Sequence, residues 1–65
     1  MIRLLRLNGS DFVLNAELIE TVEATPDTVI TTTNGKKLVV KDSIEEVIEK
    51  VIEYKRKIQL INRLE

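Results

Sequence analysis

The chain of 65 residues contains no cysteine, histidine or tryptophan, and its aromatic side chains are limited to Phe12 and Tyr54. The absence of cysteine excludes disulfides, and the absence of both cysteine and histidine removes the ligands that zinc and most transition metals favour. A domain this short buries only about 60% of the surface that its unfolded chain exposes, so its stability is marginal without help. Self-association is the remaining source of stability, and we therefore predict a homo-oligomer.

The chain also lacks an excess of charge of one sign and lacks long hydrophobic runs. Ten basic residues against eleven acidic ones give a net charge of -1, which creates no global field that would attract nucleic acid or an anionic membrane. The longest apolar runs, such as "FVL" and "LVV", contain only three residues, so none could cross a bilayer. The N-terminal residues also lack the apolar region of a secretory signal. We expect no membrane span, no nucleic-acid partner and a cytoplasmic location.

The two glycines each follow an asparagine, and each Asn-Gly pair lies between strand-like segments. The first pair separates "IRLLRL" from "SDFVLN", and Asn-Gly favours the two-residue type I′ turn of a β-hairpin. That turn predicts Leu5 opposite Phe12 and Arg6 opposite Asp11, with apolar side chains on both faces of the hairpin. We expect Phe12 to lie in the core.

The second Asn-Gly pair, residues 34 and 35, separates "TVITTT" from "KKLVVK". Its β-branched residues fit a pleated sheet well. The same two-residue turn predicts Val29 opposite Val40 on the face toward the core. It also predicts that Ile30 lies opposite Val39, as an apolar island on an outer face rich in threonine and lysine.

The segment between the two hairpins, residues 16–24, is ambiguous. Asn15 can cap a short helical turn, and the alternation that follows favours a strand. Pro26 ends this segment, since proline disfavours helical geometry at the residue before it. We predict a short turn followed by a strand.

From Ser43 onward the apolar period changes from 2 to 3.6 residues. Ser43 and Glu46 have the spacing of a capping box, and no glycine or proline interrupts the segment down to Glu65. The sequence therefore predicts a long helix that packs on the sheet through the apolar face formed by Ile44, Val47, Ile48, Val51, Ile52 and Lys55. We expect Val51 to lie in the core.

Together these elements predict an α+β fold, a small antiparallel β-sheet of 4–5 strands followed by one long C-terminal α-helix. Residues 1–65 form a single domain in this prediction, with the sheet in residues 1–42 and the helix in residues 43–65. The helix is longer than the strands, so its end should project beyond the sheet. We predict an interaction surface of apolar residues that the fold does not need: Ile58, Ile61 and Leu64 on the projecting helix, and Ile30 and Val39 on the sheet.

Residue types that commonly act in catalysis or bind metals are scarce in this chain. Ser10 lies in a turn, Ser43 is explained as a helix cap, and the carboxylates fall at positions where charged side chains are normally solvated. The acidic stripe of Glu45, Glu49 and Glu53 is most simply a solvated helix face. We expect no enzymatic activity, no cofactor and no metal site. The basic segment "YKRK" leaves one alternative open, a small nucleic-acid-binding module, although aromatic stacking platforms are few.

Three segments carry a resemblance to a known family. They are "LNG" followed by an aromatic residue and "LNA" (residues 7–16), "IETVEATPDTVI" (residues 19–30) and "NGKKLVVKDS" (residues 34–43). Over roughly residues 1–52 the chain resembles the flagellar FlbD family.

The resemblance implies a small cytoplasmic protein, near the flagellar basal body, that supports swarming by raising the power of the flagellar motor without being an enzyme. It implies contacts with stator or rotor components of the motor, and it carries no catalytic or ligand residues to this chain. The alternative is a regulatory nucleic-acid-binding module that affects motility genes.

Overall fold

A computed structural model describes the backbone of residues 1–64 and the side chains of residues 1–61. The elements in chain order are β1 (Ile2–Leu5), β2 (Asp11–Leu14), a 3-10 turn (Ala16–Leu18), β3 (Ile19–Ala24), β4 (Thr28–Thr32), β5 (Lys37–Val40) and α1 (Ile44–Leu64). The α+β prediction is confirmed. The strands form two small antiparallel sheets rather than one, β1-β2 and β3-β4-β5.

Both Asn-Gly hairpins form, but each predicted register was wrong by one residue. Glycines 9 and 35 have φ angles of +89° and +83°, whereas neither asparagine has a positive φ. A type I′ turn needs positive φ at both central residues, so each loop has three residues and ends on a left-handed glycine. The Arg6 N–H donates to the Ser10 carbonyl at 2.8 Å, and the Thr32 N–H donates to the Lys36 carbonyl at the same distance.

The corrected register of the first hairpin sorts its side chains by polarity. Ile2 pairs with Leu14 and Leu4 with Phe12, so these apolar side chains share one face. Ile2 and Leu4 are buried, and Phe12 and Leu14 are half-buried against the core. The prediction that Leu5 would share the face of Phe12 was wrong, because a shift of one residue moves a side chain to the other face.

The same shift overturns the predicted island on the second hairpin. Ile30 pairs with Leu38, and Val39 pairs with Val29 on the opposite face. Ile30 is fully buried, whereas Val39 is 40% exposed. Ile30 therefore belongs to the core and offers no surface, and Val39 is an isolated exposed side chain on the outer face.

The two sheets meet where β1 ends and β5 ends. The Lys41 N–H donates to the Leu5 carbonyl at 2.8 Å, and Arg6 forms a single antiparallel bridge with Val40. This junction encloses one core, whose buried apolar residues are Ile2, Leu4, Ala16, Ile30, Val40 and Val47. Because the list draws on both sheets and on the helix, the three parts stabilise one another.

The turn and strand predicted for residues 16–24 are confirmed. The Asn15 side chain accepts a hydrogen bond from the Glu17 N–H at 3.1 Å, which is the expected N-cap contact of the 3-10 turn. Strand β3 then pairs with β4, with an irregularity near its start between Ile19 and Thr21. The residues that follow β3, including Pro26, connect it to β4.

The capping box at the start of α1 is confirmed in both directions. The Ser43 Oγ accepts from the Glu46 N–H at 3.1 Å, and the Glu46 carboxylate accepts from the Ser43 N–H at 3.0 Å. We expect Ser43→Ala to lower the free energy of unfolding by about 1 kcal/mol, because it leaves the Glu46 N–H without its partner. Urea unfolding monitored by circular dichroism measures this, and an unchanged midpoint would contradict it.

The helix buries a narrower face than the sequence predicts. Val47 is fully buried, while Ile44, Val51 and Tyr54 are half-buried. Ile48 and Ile52, predicted to face the sheet, are instead exposed by 48% and 51%. The strands contain only four to six residues each, and such small sheets cannot cover the whole apolar face of the helix.

Candidate interaction surface

The C-terminal part of α1 extends beyond the sheets, as the sequence predicts. A helix of 21 residues is about 31 Å long, whereas strands of four to six residues span roughly 13–20 Å. The protein is correspondingly elongated, with extents of 42 × 23 × 18 Å. The end of the helix therefore lacks the sheet packing that its beginning has.

Ile58 and Ile61 are exposed on this projecting segment, by 36% and 58%. They continue the stripe that begins with Val47 and Tyr54, because residues three and four apart in a helix share a face. The stripe is buried where the sheet covers it and exposed where the sheet ends. The side chain of Leu64, the third residue predicted here, lies outside the part that the structure describes.

Basic side chains surround the exposed stripe. Lys55, Arg56 and Lys57 are all exposed and occupy the turn that leads to Ile58. Arg56 contacts the Glu53 carboxylate at 3.5 Å, but both side chains are more than half exposed, at 72% and 53%. Exposed pairs of this kind contribute little. The projecting segment is thus an apolar stripe within a positively charged collar.

A shallow groove of about 530 Å³ lies between β1 and α1. Its lining alternates apolar and charged side chains, among them Leu5, Arg3, Tyr54 and Lys57. No group of histidine, cysteine, aspartate or glutamate residues that could hold a metal ion occurs among the described residues. The groove opens beside the start of the projecting segment, so a molecule bound to the stripe could also contact it.

One polar contact of the molecule joins elements that are distant in the chain and could not be predicted from the sequence. Asp42 is almost fully buried, and its carboxylate accepts from the Leu5 N–H at 2.9 Å and binds the Lys50 ammonium at 2.7 Å. Lys50 also donates to the Arg3 carbonyl at 2.7 Å. Strand β5 ends at Val40, and these two side chains then satisfy the backbone of β1 as a further strand would. Glu46 lies four residues before Lys50, a spacing that favours an ion pair within the helix, so no local signal in the sequence indicates the long-range partner.

The pKa of Asp42 reflects a balance of opposing causes. Burial alone would raise the pKa of this carboxyl group, because it disfavours the charged form. The hydrogen bond from the Leu5 N–H and the interaction with Lys50 outweigh burial, so the pKa of Asp42 lies below its usual range. The ionised pair therefore fixes the start of α1 to the edge of β1.

No helix within the described residues is long and apolar enough to cross a membrane.

Comparison with known proteins identifies the family. No curated protein and no solved structure matches the chain. The family model described as FlbD, flagellar and swarming motility proteins, matches residues 1–59 of the 65. That match includes both hairpins, the turn between them and most of the helix, and it confirms the resemblance seen in the three sequence segments. The chain belongs to the FlbD family of flagellar and swarming motility proteins.

Proposed function

We propose that this protein is a non-enzymatic accessory of the flagellar motor, which acts by protein–protein contact and raises the power that the motor delivers. Membership of the FlbD family places the chain in flagellar and swarming motility. The observation that carries the mechanism is the projecting apolar stripe of Ile58 and Ile61, which the fold leaves uncovered. Apolar side chains grouped on an exposed surface typically mark a contact with another molecule.

The chemistry of the projecting segment defines the kind of partner. An apolar stripe in a basic collar fits a groove that is apolar along its base and acidic along its rim. An amphipathic helix binds such grooves through residues at i, i+3, i+4 and i+7. We propose that the groove belongs to a stator or rotor component on the cytoplasmic side of the motor. Opposite charges at the rim would favour the encounter and the correct orientation.

The alternative of a nucleic-acid-binding module receives less support from the geometry. Stacking on bases requires an accessible aromatic ring. Tyr54 is half-buried against the core, and the Phe12 ring lies under the Arg6 guanidinium at 4.4 Å. Binding to single-stranded RNA or DNA that weakens steeply with added salt would favour the alternative over the motor accessory.

We expect the double variant Ile58→Asp with Ile61→Asp to remain folded and to fail to support swarming. Both side chains are exposed, so the free energy of unfolding should change by less than about 0.5 kcal/mol per site. Two carboxylates on the stripe would repel an acidic rim and remove the apolar contact. Circular dichroism tests the fold, and complementation of a strain that lacks the protein tests swarming.

Leu60→Asp is the matched control for this experiment. Leu60 is 59% exposed, in the same helical turn as Ile61, but it lies on a different side of the helix. We expect Leu60→Asp to swarm normally. A folded double variant that swarms as well as the natural protein would eliminate the stripe as the working surface, and loss of swarming in both would show that any new charge on this segment is harmful.

A further inference from the structure

A second apolar surface lies on the outer side of α1, away from the projecting stripe. Ile48 and Ile52 are four residues apart, each about half exposed, and neighbours on one helix face. Charged residues lie on either side of this pair along the helix: Glu45 before it, and Lys55 and Arg56 after it. We call these five residues the outer seam.

We propose that the outer seam binds the outer seam of a second copy of this chain, with the two helices antiparallel. The occupant follows from the order of charges along the helix. The seam is acidic before Ile48 and Ile52 and basic after them. Two antiparallel seams therefore bring the acidic end of each helix against the basic end of the other. In a parallel pair the acidic ends would meet each other, as would the basic ends.

The helical repeat fixes the register of the antiparallel pair. Placing Ile48 beside Ile52 of the second copy brings the two-fold axis close to residue 50 of each helix. Counting outward from that axis, Glu45 lies opposite Lys55 of the second copy, and Arg56 of the second copy lies one residue further out, beside the same carboxylate. By symmetry each contact occurs twice. Four isoleucines then form the centre of the seam, and oppositely charged pairs close it at both ends, as in antiparallel coiled coils.

This arrangement leaves the projecting stripe of Ile58 and Ile61 free and engages only Lys55 and Arg56 of the positively charged collar, so Lys57 remains available to a partner. The fully buried Val47 faces the core, and Ile58 and Ile61 are not part of the outer seam, so the projecting stripe stays accessible in the dimer. The dimer does not depend on the proposed motor function. A seam of about three helical turns is small, which predicts micromolar affinity rather than a permanent complex.

The first test compares Ile52→Lys with Leu60→Lys in the full chain. Sedimentation velocity over a concentration series should show a dimer for the natural protein and for Leu60→Lys, whose exposed leucine lies outside the seam. We expect Ile52→Lys to be monomeric at the concentrations where the others dimerise. A natural protein that stays monomeric up to hundreds of micromolar, or an Ile52→Lys variant that dimerises normally, overturns the proposal.

The second test is a charge exchange that reports the orientation of the helices. Glu45→Lys and Lys55→Glu should each weaken the dimer by about tenfold, since each converts two attractive contacts into repulsive ones. The variant that carries both substitutions restores opposite charges across the seam and should regain the natural affinity. Circular dichroism confirms that each variant is folded. Single variants that dimerise as tightly as the natural protein, or a double variant that is not rescued, contradict the antiparallel seam.

Discussion

Leu4→Ala is expected to remove most or all of the stability of this domain. Leu4 lies in β1, where it pairs with Phe12 of β2, and its side chain is fully buried in the core. Truncation of a buried leucine costs about 2–5 kcal/mol, through lost transfer free energy and the cavity left behind. A domain of this length has a total stability of roughly 3–10 kcal/mol. Because so short a chain buries a small core, we expect the total to lie near the lower end of that range, and the variant should therefore be largely or fully unfolded at ambient temperature.

Urea unfolding followed by circular dichroism measures this loss, with protein concentration fixed because any dimer contributes to apparent stability. Leu7→Ala is the matched control, since Leu7 is half exposed in the first hairpin loop. We expect the control to change the free energy of unfolding by less than about 0.5 kcal/mol. Equal losses for Leu4→Ala and Leu7→Ala would mean that the core is not where the structure places it.

The secondary-structure elements could be predicted from the sequence because each one carries a local signal. The Asn-Gly pairs mark both hairpins, Asn15 marks the 3-10 turn, and the Ser43–Glu46 spacing marks the start of the helix. Each signal acts through backbone hydrogen bonds within a few residues, so no tertiary contact is needed to recognise it. The fold class, the order of elements and the projecting helix follow from these signals.

The register could not be read from the Asn-Gly pair alone. Asn-Gly fits a two-residue loop, with both residues at positive φ, and also a three-residue loop that ends on glycine. In the first hairpin the Asn8 side chain accepts from the Ser10 N–H at 3.0 Å, which stabilises the longer loop. The apolar pattern held the decisive information, because only the longer loop places Ile2 and Leu4 on the face of Phe12.

The surfaces were harder to predict than the elements. Whether Ile48 and Ile52 are buried depends on the width of the sheets, and periodicity in the helix does not contain that information. Ile30 was assigned to a surface because the register was off by one residue. Asp42 and Lys50 are eight residues apart and meet across the junction of β1 and α1, so neither residue shows its partner locally.

Asp42→Asn should cause the second large loss of stability. The substitution removes the charge that binds Lys50 and weakens the hydrogen bond from the Leu5 N–H. Because the substitution removes one partner of a buried, hydrogen-bonded ion pair, we expect the free energy of unfolding at neutral pH to fall by about 2–3 kcal/mol. Glu53→Gln is the control, because its ion pair with Arg56 is exposed and should contribute less than about 0.5 kcal/mol.

Lys50→Met separates the two contacts of the carboxylate. Methionine keeps an apolar stem but removes the ammonium group, while the Leu5 N–H still donates to Asp42. The Lys50 side chain is 38% exposed, so water can partly replace it, and we expect a smaller loss of about 1–2 kcal/mol. In the double variant the total loss should be smaller than the sum of the two single losses, since the two residues stabilise the fold through one shared contact. Strict additivity would show that the pair is not coupled.

The contribution of Asp42 should disappear in acid, and the sign follows from the direction of its pKa. The folded-state pKa of Asp42 lies below the ordinary value of 3.8, so the unfolded chain binds its proton first as the pH falls. The stability that the carboxylate contributes is complete above that ordinary value and is lost as the pH falls through the folded-state pKa. Other carboxylates titrate in both proteins, so the difference between natural protein and Asp42→Asn isolates this group. Urea unfolding of both at neutral pH and at a series of pH values below about 4 measures that difference. It should shrink steadily in acid, whereas a difference that stays constant would show that the contact does not depend on the charge of Asp42.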